Sequence, residues 1–563
     1  MMPNSDLSST PSIWQLFSYA ATAVPERPAI IWGTNSVSFG EIANHARRFS
    51  AWLGRRGLCR HLPRNKVAAH ASGQDHVAIL MRNRPEYVEV VLGAFAASTV
   101  PVNVNYRYVE EELVEILRDS GAKALVYEAC FRVEVASIRG RLPDLLYLIE
   151  VGGDSEPQAA GTTAYETIIS DMQLEIAFKD RSKPDDLCII YTGGTTGAPK
   201  AVLWSQAELC QSMTAGINPA TGKRIAHLGE LGKGIENVNY RVAVLPPMMH
   251  LAGLSMAITA LPAGATLLFP AGDSFDARAV WEIVEHERAH VVLSIGNAMG
   301  RPLLDELRRQ SYDISSVRGI INGAAPMSTD VREGLLGELE SKAYIFDSIG
   351  SSESGKQAQV VHRNQSQCGE ASATGKRGNL FGALPQTRVL AEDLSRTLSE
   401  DEHEIGWLAS TGHLPFGYLG DPEKSVLTFP VIDGVRYAVP GDRARYGGGG
   451  DIEVLGRDAV TINSGGEKIF AEEVEAALLS NSDIVDAIVV GRPSDRWGAE
   501  VVAIVQSRGK LSAKAIRSLC EGRLARYKWP KYVIFVDCVI RGPNGKADYR
   551  WASRLAMDEV NVT

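Results

Sequence analysis

Apolar residues along this chain fall into two interleaved patterns. Stretches with apolar positions three and four apart, over Glu86–Ala97, Glu110–Asp119, Ala277–Arg288 and Ser328–Leu339, predict amphipathic helices. Between them lie short, nearly continuous apolar runs at Cys188–Tyr191, His290–Ser294, Arg318–Ile321 and Ala343–Phe346, which predict strands. A strand that is apolar on both faces must be covered on both faces, and strands alternating with helices meet that need in parallel sheets. The expected fold class is therefore α/β, with layered sheets and helices over most of the chain. No internal repeat or long low-complexity segment interrupts it.

The pattern changes near residues 445–457. The run Tyr446-Gly-Gly-Gly-Gly450 predicts a flexible turn. Beyond Gly456-Arg457-Asp458 come a helix (Ala471–Leu479), two apolar strands (Asp486–Val490 and Val501–Val505), a helix (Ser512–Ala525) and a strand (Tyr532–Val536). That is a compact α+β unit of about a hundred residues, an ordinary domain size. The expected division is a large domain over 1–456 and a small one over 457–563. One stretch, Val242–Gly272, lacks Asp, Glu, Lys and Arg and is long enough for a bilayer. Pro246, Pro247, Pro262 and Pro270 punctuate it, so it reads as a loop, a buried helix around Leu251–Leu261 and a strand at Ala265–Phe269, not as a membrane span.

Composition narrows the function classes. At 563 residues the chain exceeds one core, and 45% hydrophobic residues exclude disorder as its main state. A net charge of −9 argues against binding nucleic acid through phosphate neutralisation. The part from Asp458 onward is near neutral and carries a small basic cluster, Arg523, Arg526, Lys528 and Lys531, which fits a solvated helix face. The seven cysteines are scattered, with no CxxC pair, so free thiols in a reducing cytosol are expected, not a zinc site or a disulfide framework. The N-terminus shows no charged start followed by an apolar core, so a cytoplasmic location is expected. No motif dictates assembly, and a homodimer is the expectation carried forward.

The sharpest chemical signal is Tyr191-Thr-Gly-Gly-Thr-Thr-Gly-Ala-Pro-Lys200, directly after an apolar strand. Gly193, Gly194 and Gly197 allow a tight turn that presents backbone N–H groups to an anion. Thr192, Thr195 and Thr196 add hydroxyls and Lys200 adds a cation, which together suit a polyphosphate. No Gly-Lys-Ser/Thr follows the glycines, so this is not a Walker A loop.

From this loop onward the chain resembles the superfamily of acyl-adenylate-forming enzymes, which includes acyl-CoA synthetases, peptide-synthetase adenylation domains and luciferases. The resemblance covers nearly the whole chain, with further motifs in the family's order. Pro246-Pro-Met-Met-His250 resembles the segment whose terminal aromatic or His gates the acyl pocket. Asn322-Gly323-Ala324-Ala325-Pro326 resembles the adenine-side turn. Asp347-Ser348-Ile349-Gly350-Ser351-Ser352-Glu353 is similar to Tyr-Gly-x-Thr-Glu, with Glu353 at the magnesium position. Asp442, after Gly441, matches the aspartate that holds the ribose hydroxyls. Gly456-Arg457 and Asn463-Ser-Gly-Gly-Glu-Lys-Ile469 resemble the hinge and the loop after it, and Pro543-Asn-Gly-Lys546 resembles the closing Gly-Lys. Singly, each has an ordinary explanation: His250 as a core histidine, Glu353 and Lys546 as surface charges, Asp442 as a turn former. Their order is what favours the functional reading.

The resemblance implies an adenylate-forming fold with a mobile C-terminal lid, and ATP- and Mg2+-dependent activation of a carboxylic acid followed by transfer to coenzyme A. The ATP side would comprise Thr192–Gly197, Lys200, Gly323–Ala325, Asp347–Gly350, Ser352, Asp442, Arg457 and Lys546. Glu353 and Thr192 would serve the metal, and Lys546, His250 and Glu353 the chemistry. The acyl pocket would draw on His250, Gly253, Met256, Asn297, Met299, Asn322, Gly323 and Ser351. Gly465, Gly466 and Lys468 would face the incoming thiol. Attack of a carboxylate on the α-phosphorus joins two anions, so catalysis must neutralise charge and align oxygens.

Some positions depart from the family. Ile349 stands where an aromatic residue usually stacks on adenine, Ser352 replaces Thr, and Pro440 replaces the Thr before Gly-Asp. The pivot falls near Asp458 and Ala459, and Ala471 replaces the Pro that commonly opens the next helix. An amine acceptor, as in coronafacic-acid-type ligases, is the alternative for the second step. A non-catalytic scaffold would be free to lose Glu353 or Lys546, and both are present; a luciferase-like oxygenase rests on fold analogy alone.

Overall fold

The computed structural model describes residues 10–153, 161–192, 199–325, 327–364, 380–457, 460–464, 467–494, 498–521, 523–524, 526–541 and 547–558. The chain divides into two compact units. The first takes Met1–Leu293 with Ser352–Lys356 and His413–Phe429; the second takes Ser294–Ser351, Gln357–Gly412 and Pro430–Thr563.

In the first unit an eight-stranded sheet runs in the order 417–418, 200–205, 187–192, 100–103, 76–80, 124–128, 147–151 and 162–164. From strand Leu187–Thr192 to strand Thr162–Ala164 every pairing is parallel. On the other side of Leu187–Thr192, the strands Lys200–Ser205 and Gly417–Tyr418 are added antiparallel. Strands His76–Leu80, Val100–Asn103 and Ala124–Glu128, at the middle of the parallel run, are buried along their length, as their continuous apolar runs demand. A further parallel group joins strands Pro28–Trp32, Thr266–Phe269, Arg241–Val244 and Val291–Ser294. The uncharged stretch 242–272 resolves into a nine-residue helix, Leu251–Thr259, and the buried strand Thr266–Phe269. Among the described residues no helix is long and apolar enough to cross a membrane.

In the second unit strands run in the order 387–390, 406–410, 442–448, 451–457, 380–383, 355–363 (from 357 onward), 344–351 and 319–322. Beyond these, residues 461–535 form a five-stranded sheet: Glu467–Phe470, Thr461–Ser464, Gly498–Ser507 and Ile484–Ser494, with Tyr532–Phe535 beside Gly498–Ser507. Val501, Ala503 and Val505 join one core with Val474 and Leu478 of helix Ala471–Leu479 and Ile516 of helix Ala513–Ser518. Val502 and Ile504 join another with Ala552 and Ala556 of helix Tyr549–Asp558. Alternate residues of one apolar strand thus feed two cores, which is why its sequence shows no polar alternation.

Expected elements are found with shifted ends. Helices Pro85–Ala96, Glu110–Asp119, Ala277–His286 and Thr329–Glu338 stand where their periodicity placed them. The helix expected over 512–525 is capped by Ser512 but stops at Ser518; two turns, Arg523 N–H and Leu524 N–H to the Cys520 carbonyl, follow it. The strand expected over 343–346 runs on through Ser351.

Candidate active site

Strand Leu187–Thr192 ends at the C-terminal edge of its parallel neighbours, the edge where open α/β sheets bind ligands. Thr192 and Lys200 are register partners, so the loop joining them closes a hairpin at that edge. Gly193, Gly194, Thr195, Thr196 and Gly197 lie outside the described residues. The Tyr191 hydroxyl donates to Asp119, and burial together with that carboxylate pushes its pKa upward.

Ser352 and Glu353 belong to the same unit. The indole N–H of buried Trp204, on strand Lys200–Ser205, donates to the Ser352 carbonyl at 2.8 Å. The Tyr418 hydroxyl donates to Glu353 Oε1 at 3.0 Å, and Lys200 Nζ lies 5.0 Å from the centre of the Tyr418 ring. Tyr418 therefore touches the carboxylate predicted to hold a metal and the cation predicted to close the phosphate loop, and sequence reasoning missed it. Its signal is weak: an aromatic ahead of the turn Gly420-Asp421-Pro422. Gly355 then turns the chain with φ of +65°, and a Cβ there would sit 1.8 Å from Ser212 Oγ. In the same stretch burial pulls the Lys356 ammonium down to about 8.

His250 is the N-cap residue of helix Leu251–Thr259; its carbonyl accepts from Leu254 N–H, and its own N–H donates to the Pro247 carbonyl at 3.1 Å. Gly253, expected to line the acyl pocket, packs its bare Cα toward the segment ahead: a Cβ would meet the Pro246 and Pro247 carbonyl oxygens at 2.6 Å. Met256, on the same helix, is partly buried.

The second unit holds the motifs expected on the adenine side. Asn322, buried at the end of strand Gly319–Asn322, is a hub: its Oδ1 accepts from Gly296 N–H at 2.6 Å. Its Nδ2 donates to Asp347 Oδ1 at 2.9 Å and to the Ala325 carbonyl at 3.2 Å. Asp347 Oδ2 also lies 3.0 Å from His362 Nε2 and 3.6 Å from an Arg332 guanidinium nitrogen. The Asp347 carboxylate thus braces the turn at Gly323–Ala325, where Ala324 takes a left-handed φ of 63°. Ser348 Oγ donates to the Asn322 carbonyl at 3.3 Å, and a Cβ on Gly323 would meet that hydroxyl at 3.2 Å. Ile349 packs against a core that includes Val389, Leu408 and Tyr446. Gly350 is exposed and Ser351 half-buried. Asn297, placed in the acyl pocket by sequence, accepts through Oδ1 from the Ser328 N–H and hydroxyl at 2.9 and 3.0 Å. Met299 is partly buried on the same helix, Gly296–Arg309.

Asp442 opens strand Asp442–Gly448, directly after Gly441 with φ of +102°. In the antiparallel register it stands opposite Arg457, so the positions expected to serve the ribose and the hinge are register partners. Asn463 and Lys468 are paired across the hairpin 461–470, whose tip, Gly465 and Gly466, lies outside the described residues. Lys546 lies outside them too.

Residues 17–402 match the AMP-binding enzyme family, and residues 473–546 match the AMP-binding enzyme C-terminal domain. The chain is 41% identical over 564 residues to the medium-chain acyl-CoA ligase Mig of Mycobacterium avium, an alignment spanning 98% of this chain and 100% of that protein. It is 34% identical to the 3-oxocholest-4-en-26-oate–CoA ligase of Rhodococcus rhodochrous, across 96% of this chain and 95% of the relative. The crystal structure of the anthranilate CoA ligase AuaEII in complex with anthranoyl-AMP superposes with a TM-score of 0.80 at 19% identity, covering 99% of this chain and 100% of that one. With both domains matched and full-length relatives well above 30% identity, the chain belongs to the AMP-binding enzyme family.

Proposed function

We propose that this protein is an AMP-forming acyl-CoA ligase: it activates a carboxylic acid with ATP as an acyl-adenylate and passes the acyl group to coenzyme A. The observation that carries the reading is 41% identity, end to end, with a ligase named for that activity, in a chain that keeps Lys200, Glu353, Asp442 and Lys546. The substrate class we infer is a medium-chain aliphatic acid or an aliphatic side-chain carboxylate, because the full-length relatives are named for such acids. An amine acceptor finds no support at this level of identity, since these relatives are named as CoA ligases.

Several residues would share the work. The loop from Thr192 to Lys200 would hold the β- and γ-phosphates, and the turn at Gly323–Ala325 the adenine. The Glu353 carboxylate and Thr192 hydroxyl are hard oxygen donors within one unit, a set that fits magnesium. A magnesium ion held there would neutralise phosphate charge. Tyr418 would orient Glu353 through its hydrogen bond. Lys546 would stabilise the charge that builds between carboxylate and α-phosphate. Residues 457–563 would act as the lid, exchanging Lys546 for the hairpin at 463–469 between the two steps; the second family match, over 473–546, supports that division. The test is pyrophosphate exchange across straight-chain acids of increasing length, followed by AMP release with and without CoA. Exchange peaking at medium chain lengths and CoA-dependent AMP release are expected. Turnover with amines alone would refute the thioester step.

A further inference from the structure

Two asparagines given no role above hold the backbone beside the segments read as the ATP and acyl sides. Asn103 is the last residue of strand Val100–Asn103, whose Val102 pairs with Ile189 of the strand leading into the phosphate loop. It is 5% exposed. Its Oδ1 accepts from Tyr191 N–H at 2.8 Å, and its Nδ2 donates to the Met249 carbonyl. Tyr191 immediately precedes Thr192, and Met249 immediately precedes His250. Asn83 grips the same segment one residue earlier: its Oδ1 accepts from Met248 N–H at 2.7 Å and its Nδ2 donates to the Pro246 carbonyl at 3.0 Å.

We infer that Asn103 is a positioning residue that sets the start of the phosphate loop and the His250 segment at a fixed spacing, so that one side chain aligns the grip on ATP with the grip on the acid. The roles of those two segments rest on the ligase reading above. The chemistry of the partners dictates the residue. Tyr191 N–H can only donate and the Met249 carbonyl can only accept, so the buried bridge needs one acceptor and one donor on a single planar group. A primary amide provides both at this length. Leucine matches its size and provides neither, while aspartate keeps the acceptor and loses the donor. Both partners are main-chain groups, so no exchange of side chains elsewhere restores a lost bond. A misplacement of about 1 Å between reacting groups costs up to roughly a hundredfold in rate, so the bridge acts on kinetics as well as on folding.

The experiment measures Michaelis constants for ATP and for the acid, with pyrophosphate exchange, on the full-length protein carrying Asn103→Asp, Asn103→Leu or Asn83→Ala. Asn103→Asp keeps the bond to Tyr191 and sets a carboxylate against the Met249 carbonyl. It is expected to raise KM for the acid by about tenfold or more and to leave KM for ATP within about threefold. Asn103→Leu should raise both constants and lower kcat by about a hundredfold. Asn83→Ala should move only the acid side, and combined with Asn103→Asp its effect on that constant should be less than additive, because both act on one segment. If Asn103→Leu does not fold, the other two variants still decide. An active wild type whose variants lose thermal stability but keep both Michaelis constants overturns this inference alone. A wild type inert with ATP toward every acid overturns the ligase reading and this inference together.

Discussion

The contact between Tyr418 and Glu353 links residues 65 apart in the chain through one hydroxyl. If Tyr418 orients the metal carboxylate, Tyr418→Phe should raise the magnesium concentration giving half-maximal pyrophosphate exchange by about three- to tenfold, with modest change at saturation, because a single charge-assisted hydrogen bond is lost. If Glu353 is the metal ligand, Glu353→Gln should depress exchange by about a hundredfold or more at any magnesium concentration. A magnesium titration of both variants separates the two effects. Gly355 gives a sharper stability prediction. With φ at +65° and Ser212 Oγ 1.8 Å from where a Cβ would stand, Gly355→Ala should cost about 2–4 kcal/mol by denaturant unfolding. At this scale Lys200 and Glu353 could be singled out from the sequence, since they sit inside motifs with a chemical reason. The contacts of Tyr418, Asn83 and Asn103 were not legible, because each acts through a partner that spacing along the chain does not reveal.

Among the elements, helix Ala471–Leu479 carries an acid whose pKa burial raises. Glu475 is buried, accepts from Val489 N–H at 2.8 Å and from the Tyr549 hydroxyl at 3.3 Å, and is pushed up to about 8, chiefly by burial and then by the charge of Glu472. An acid whose pKa is raised on folding holds its proton more tightly in the folded state. Its stabilising effect is complete below the unfolded value near 4.3 and is lost as pH rises toward the folded value. Glu475→Gln mimics the protonated form without titrating. The variant's stability relative to wild type should therefore climb from about pH 5 to about pH 8, by at most about 1.4 kcal/mol per pH unit, and level off above that. Thermal unfolding across that range checks it; parallel curves for the two proteins would show that Glu475 is ionised. Most helices and strands were legible from period and run length. Their ends were less so, because hydrogen bonds and caps set them: Ser512 opens its helix as expected, while the Cys520 carbonyl collects two later N–H groups in turns instead of continuing it.

For the molecule as a whole, the proposal makes the two half-reactions separable. Lys546→Ala should reduce pyrophosphate exchange by about a hundred- to a thousandfold, yet leave CoA transfer from supplied acyl-adenylate within a few-fold, since that step would not use the lysine. Equal loss of both steps would reject the lid exchange. The compact units gather segments distant in sequence, Ser352–Lys356 and His413–Phe429 with the first 293 residues, so the first unit is not a contiguous block. The sequence by itself determined the α/β class, the glycine- and threonine-rich composition of the segment after strand Leu187–Thr192, and the family order of the motifs. These depend on local properties: the period of burial along an element, the torsional freedom of glycine, and the charge of a side chain. Only the tertiary structure decided that Asn103 joins Tyr191 to Met249, that Tyr418 holds Glu353, and that Asp347 braces a turn through Asn322. Such pairings depend on the register between strands and on where crossover connections return the chain, which bring together residues 88 and 146 positions apart. Local periodicity records that a side chain is buried, and carries no information about which distant backbone group will meet it.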